Sequence, residues 1–163
     1  MTAVSRPPAS FAFSHPAHAI ALGFGAGLAP RAPGTAGTAL AWAMGWLVLQ
    51  HYPAAFLLAA VAPLFLVGMW ACTVTGRDLG VSDHGAMVWD EIVAFLAVLA
   101  VVPREAAWQL AAFLVFRAFD IAKPPPIRAF ERRLHGGLGV MFDDLLAAAY
   151  TLVVLALFKR LLP

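Results

Sequence analysis

Long apolar runs, broken at a few polar points, organise this chain. From Ala32 to Gly76 there is no Asp, Glu, Lys or Arg. A membrane span needs about 20 apolar residues, so this stretch has room for two spans and a turn. Its main polar break is Gln50-His51-Tyr52-Pro53, where Pro53 suits the start of a following helix. The pattern predicts a first helix near 35–50, short for a span and tilted or partly interfacial, and a second near 54–74. Two shorter apolar runs follow, Ile92–Val102 and Ala106–Phe116, separated by Pro103, Arg104 and Glu105. Proline and charges mark a turn there. Each run reaches spanning length only with charged residues at its far end: Asp90 and Glu91 for one, Arg117 and Asp120 for the other. A last run, Leu145–Phe158, is opened by Asp143 and Asp144, and acids favour a helix N-terminus. Residues 1–18 lack a long apolar core, make a poor signal peptide, and read as an irregular arm. The prediction is one all-α domain, 1–163, an integral membrane bundle of about five helices, some short or half-inserted.

Composition sharpens the membrane reading. Hydrophobic residues make up 62% of the chain, charged residues only 12%, and the mean hydropathy is +0.82. Soluble domains carry about 25% charged residues. A soluble all-α bundle is the alternative, because apolar runs of about 10–14 residues also build core helices. The long uncharged stretch argues against it. A net charge of +2 gives nucleic-acid binding little support. The single cysteine, Cys72, excludes an internal disulfide and a cysteine metal site.

Counting crossings places the polar segments. With alternating spans, Gly23–Gly37, Gly76–Glu91, Arg117–Arg133 and His135–Asp144 meet on one side. That side holds Arg6, Arg31, Arg77, Arg117, Lys123, Arg128, Arg132 and Arg133, against Arg104, Lys159 and Arg160 on the other. The bias makes it cytoplasmic; the Lys159–Arg160 pair runs against it. Of the nine acids, all but Glu105 fall on the same side. A charge inside a bilayer costs roughly 2.5–3.5 kcal/mol on insertion scales, so such a gathering points to function.

Gathered carboxylates repel one another unless a cation joins them. Mg²⁺ is the hard, oxygen-liganded choice, taking one or two carboxylates, waters and a substrate phosphate. Asp83 and Asp90 are two helical turns apart and share a face if their helix begins that early. No Cys/His zinc spacing is present. The segment GFGAGLAPRAPGTAGT lacks both GxGxxG and GK[ST], which removes a dinucleotide loop. It is either a tight loop whose amides, with Thr35 or Thr38, approach a phosphate, or a site of close helix packing. In FRAFDIAKPPPIRAF, the Pro124–Pro126 run stops a helix and holds Lys123 in an extended exit beside Asp120. Arg117 or Lys123 there would pair with a phosphate; the plain alternative is a snorkelling cationic helix end. Gly136, Gly137 and Gly139 form a flexible lead into Asp143 and Asp144. His84, next to Asp83, and His135 are weaker acid/base candidates.

Four stretches, GFGAGLAPRAPGTAGT, DHGAMVWDEIV, FRAFDIAKPPPIRAFE and HGGLGVMFDDLLAAAY, together resemble the phosphatidylglycerophosphatase A family of bacteria. They cover about a third of the chain in the family's order. The resemblance implies a Mg²⁺-dependent phosphatase of the inner membrane, its site facing the cytoplasm. It would remove the terminal phosphate of phosphatidylglycerophosphate, a lipid partner, to give phosphatidylglycerol. On this reading the candidate metal ligands are Asp83, Asp90, Glu91, Asp143 and Asp144, and the sequence does not separate ligands from acid/base groups among the acids. The substrate ligands are Arg31, Thr35, Thr38, Arg117 and Lys123, and the catalytic groups are Asp83, Asp120, Lys123 and Asp143. Water attack and a phosphoaspartyl intermediate both remain open. Motifs of other phosphate chemistries, D-x-x-D-G-x-x-A-R, P-S-G-H and D-x-D-x-T, are absent. A small transporter or scaffold is the non-enzyme alternative, because intramembrane acids and glycine-broken helices suit transporters. Collection of the acids at one side rather than mid-bilayer argues against it.

Overall fold

The structure, a computed structural model, describes residues 6–47, 51–131 and 133–161, apart from the side chains of 129 and 131. The end of the first predicted helix (48–50), Arg132 and the first five residues of the arm lie outside the described residues. Among those described, the ordered elements are all helical. Five main helices are α3 (Pro33–Leu47), α4 (Ala54–Leu79), α5 (Trp89–Val101), α6 (Ala106–Ala122) and α8 (Gly136–Leu161). Shorter pieces are α1 (Ala9–Ala12), α2 (Pro16–Ala21), a 3₁₀ segment (Gly23–Leu28) and α7 (Ile127–Glu131).

The central helix is α5. Ile92, Val93, Ala94, Phe95, Leu96 and Val98 are buried, so it is covered on every side, as a helix apolar all round must be. With α3, α4 and α8 packed against it, α5 lies within the protein and not against lipid. Its 13 residues give a rod of about 20 Å, too short to cross a hydrocarbon layer of about 30 Å. Phe95 meets Phe113 edge-on and Phe116 at a tilt, both of α6, with ring centroids 5.8 and 5.5 Å away. Ala41, Ala112, Ala147 and Ala148 keep the surrounding helices close.

Two helices, α4 and α8, are long and apolar enough to cross a membrane, with 26 residues each. Much of α4 is uncovered, and Phe56, Leu58, Leu66, Val67 and Trp70 stand exposed along it. The core helix of a soluble bundle would be covered, whereas an open apolar face of this kind fits lipid.

Contacts fix the helix directions. Gly34, near the start of α3, faces Glu91 at the start of α5, and Gly45 near the end of α3 faces Leu99 near the end of α5. The two helices therefore run the same way. α6 runs against them: Trp42 Nε1 donates to Gln109 Oε1 at 2.8 Å near its start, while Lys123 at its end reaches Asp143. The start of α8 meets the later half of α4 through Gly137 N–H, which donates to Thr73 Oγ1 at 3.1 Å. The starts of α3, α5 and α8 and the ends of α4 and α6 thus point the same way along the bundle. This is the alternation that the crossing count predicts.

Three local expectations need correction. The arm is not irregular over residues 9–18. Pro16 sits at the first turn of α2, and His15 Nδ1 accepts from Ala17 N–H at 3.1 Å as its cap. Buried His18 then meets Asp78 of α4 at 3.0 Å and ties the arm down. The second correction concerns α8, which begins at Gly136, well before Asp143 and Asp144. The glycines expected to form a flexible lead belong to the helix, and Gly137 lets the backbones of α8 and α4 approach. A Cβ on Gly137 would collide with the Met69 carbonyl of α4. Third, Lys123 is not extended. The helix stops at Ala122 before the prolines, but Lys123 caps it in the left-handed region (φ 41°, ψ 63°), its N–H bonded to Phe119 O.

Candidate active site

The site begins at the first turn of α5. Its N-cap is Val88, which has no capping side chain; the Val88 N–H is bonded to Ala21 O of the arm at 2.8 Å. Trp89 Nε1 donates to Leu64 O at 3.1 Å, so α5 starts beside the middle of α4. Asp90 and Glu91 follow, where the partial positive charge of the helix end favours them. Asp144 reaches them from α8, about two turns or roughly 12 Å in from its start. One carboxylate oxygen from each of Asp90, Glu91 and Asp144 lies within 4.8 Å of the others. Asp90 Oδ1, Glu91 Oε2 and Asp144 Oδ2 are buried and lack a hydrogen-bond partner among the described residues. Such a cluster is costly unless something positive joins it. Three convergent carboxylates, each with a buried oxygen that lacks a protein partner, are the kind of donor set that a hard divalent cation uses.

Cations line one flank. Arg117 of α6 is three residues before Asp120, which puts both on one face, and the two form a close ion pair. Arg117 Nη1 lies 3.5 Å from Glu91 Oε1 and donates to Thr38 Oγ1 at 3.4 Å. Thr38 is buried and donates to Gly34 O at 2.9 Å. Gly34 is essential to this arrangement. A Cβ there would strike Glu91 Oε1 and stand 2.9 and 3.0 Å from the two Arg117 terminal nitrogens. Asp120 interacts electrostatically with both Glu91 and Asp144. Lys123 Nζ donates to Asp143 Oδ2 at 3.2 Å.

The structure divides the expected residues. Asp90, Glu91 and Asp144 converge, with Arg117, Asp120 and Thr38 around them. Asp143 is next to Asp144 but about 100° round the helix; it is not part of the three-oxygen group and pairs with Lys123. Asp83 does not share a helical face with Asp90. Gly80 ends α4 in the left-handed region and α5 starts only at Trp89, so Asp83 lies in the intervening turn. It lines a cavity with His135, Gly139 and Asp143. Arg31 is exposed at the bend before α3, and Thr35 is partly buried in its first turn. Sequence reasoning gave His18 little weight; it lies in the short helix that Pro16 starts.

Comparison with known proteins now has a geometry to explain. The sequence model of the family described as Phosphatidylglycerophosphatase A matches residues 19–159. The chain is 43% identical over 151 residues to the phosphatidylglycerophosphatase A of Haemophilus influenzae, covering 92% of this chain and 93% of that protein. It is 39% identical over 143 residues to that of Escherichia coli, covering 87% and 83%. A Bacteroides thetaiotaomicron protein named provisionally as a phosphatidylinositol-3-phosphatase is 39% identical over 147 residues, covering 86% and 91%. No solved structure matches. Bundle, site and relatives define one class, an all-helical phosphatase. Within that class, the chain belongs to the phosphatidylglycerophosphatase A family.

Proposed function

We propose that this protein is a Mg²⁺-dependent lipid phosphatase that removes the terminal phosphate of phosphatidylglycerophosphate to give phosphatidylglycerol. It would work in the bacterial inner membrane with its site open to the cytoplasm. The observation that carries the reading is the group of three converging carboxylates, each with a buried, unpartnered oxygen, flanked by Arg117 and Lys123. Asp90, Glu91 and Asp144 would hold the cation. A bound Mg²⁺ supplies Lewis-acid polarisation of a phosphoryl oxygen.

The protein's own groups do the rest. Arg117 is fixed by Glu91, Asp120 and Thr38, so its guanidinium offers N–H donors to the phosphoryl oxygens without reorganising. Lys123 adds a second positive charge from the capped end of α6, and Asp143 holds its ammonium in place. Asp120 and Asp143 are the carboxylates placed to accept a proton from an attacking water or to attack phosphorus themselves. Arg31, exposed before α3, steers an anionic head group inward, and Thr35 borders its path. The two acyl chains stay in the bilayer.

The test is phosphate release from phosphatidylglycerophosphate in detergent micelles, with Mg²⁺ and with EDTA. Release that needs Mg²⁺ and falls about 10²–10³-fold in Asp90→Asn and Asp144→Asn is the expected outcome. No release by the folded wild-type protein overturns the reading. Phosphatidylinositol 3-phosphate belongs in the same assay, given the name of the Bacteroides relative. Faster turnover of that lipid would reassign the head group while keeping the chemistry.

A further inference from the structure

The arm reaches the acid cluster through one backbone bond. Val88 caps α5 without a side-chain bond of its own, and its N–H donates to Ala21 O of α2 at 2.8 Å. Asp90 and Glu91 follow two and three residues later. Little slack separates the arm from this turn. A Cβ on Gly23 would stand 2.8 Å from both Val88 Cγ2 and Ile92 Cδ1, and one on Gly27 would strike Ala86 O. The first turn of α5 therefore takes its place from wherever α2 lies. On α4, α2 rests largely through small residues: Ala17 and Ala21 share a buried cluster with Ala71 and Cys72. Small side chains let helices approach closely but raise few ridges to fix their register. Directed bonds at His18 supply what they lack. The residue is only 4% exposed. Its Nε2–H donates to Asp78 Oδ2 of α4 at 3.0 Å, since an ionised carboxylate only accepts. Its Nδ1 lies 3.1 Å from Ser14 Oγ and 3.2 Å from Phe11 O, and Phe11 stacks on the ring with centroids 4.1 Å apart. Burying a polar ring costs desolvation that an apolar side chain would avoid. What the ring adds in return is a single register.

We propose that His18 and Asp78 are positioning residues for phosphate release. Together they set the register of the arm on α4, and through Ala21 O and Val88 they hold the first turn of α5 where Asp90 and Glu91 meet Asp144. This rests on the lipid-phosphatase reading above. Neither residue belongs to the three-carboxylate group; both act through α2. His18 and Ala21 are about one turn apart on that helix, so a shift at the ring is carried to the carbonyl that holds Val88. Asp78 Oδ1 also accepts from Arg77 Nε at 3.2 Å, but Arg77 is exposed and adjacent on the same helix, so that contact ties nothing to the arm.

The experiment uses the full chain in detergent and takes two readings: amide hydrogen exchange with EDTA present, and kcat and KM for phosphatidylglycerophosphate with Mg²⁺. The variants are His18→Ala, Asp78→Ala, their combination, and His18→Gln, whose amide can still donate to Asp78. In His18→Ala and in Asp78→Ala, exchange across residues 88–92 should become about tenfold faster while α8 keeps its protection. In the same variants kcat should fall about tenfold with KM within about twofold of wild type, the mark of displaced groups and not of lost substrate contacts. The combined variant should be no worse than either single one, because the two residues act as a unit. His18→Gln should restore most of both readings, and Arg77→Gln should leave both unchanged. Wild-type exchange and kcat in both alanine variants overturn the proposal. So does faster exchange throughout the bundle with a lowered melting temperature, which would make the pair a general support. If His18→Ala does not fold, Asp78→Ala, at an exposed position, decides by the same readings. A wild-type protein that releases no phosphate while exchange behaves as expected sinks the underlying function and not the arm's hold on α5.

Discussion

A methyl group at position 34 would land on the Glu91 carboxylate and against both terminal nitrogens of Arg117. The conflict is with the ion-pair network and not with the core. Gly34→Ala should therefore keep its fold and melting temperature, while phosphate release falls about 10²-fold, the cost of a small displacement of catalytic groups. Paired melting and activity measurements on that one variant check it. At this scale the sequence was partly legible. Asp90, Glu91, Arg117, Asp120 and Asp144 were recognisable as charges that an apolar chain would not otherwise carry. The role of Gly34 was not, because what a glycine faces is set by helices distant in sequence. Asp83 was misplaced for a related reason. Its spacing from Asp90 suggested a shared helical face, but spacing has that meaning only inside a helix, and the turn from Gly80 to Val88 intervenes.

Helices α4 and α8 come together through missing side chains. Gly68 of α4 accommodates Met141 and Trp89, and Gly137 of α8 lies on the Met69 carbonyl. Gly137→Leu should force the helices apart and lower stability by about 1–3 kcal/mol or more, as overpacking does. Thermal unfolding in detergent reads it. Gly85→Ala is the control, because a carbon added there meets nothing within 4 Å and melting should not move. The apolar runs located α3 to α6 well, because their interruptions are prolines and charges that no buried helix tolerates cheaply. They failed at the start of α8. Glycine has low helix propensity, yet tertiary contact with α4 makes it the residue that fits. The arm escaped notice because its buried residues are small: Ala12, Ala17 and Ala21 give almost no periodic signal.

For the molecule as a whole, the acid cluster is expected to couple stability to cation binding. Folding brings Asp144 against the neighbouring Asp90 and Glu91, so a cation that joins the three would favour the folded form. At about 100 times its Kd, Mg²⁺ should add about 2.7 kcal/mol, raising the melting temperature in a way that EDTA reverses. The same titration on Asp144→Asn should show a much smaller rise. Fold class and helix alternation were readable from the chain at this scale, because hydropathy and charge asymmetry are properties of whole segments. Depth was not. The acids sit beside the middle of α4 and not at its end, a level that only the relative offset of helices reveals. That offset means α5 fills just one half of the bundle's height, and the other half is closed by the arm and the turn before α5. A bilayer around such a body need not keep one thickness. On the proposed lipid substrate, a leaflet that dimples toward the short helix would bring a head group down to the carboxylates while its chains stay in oil. Turnover is then expected to change with bilayer thickness, which phosphate release in vesicles of short-chain and long-chain lipids checks.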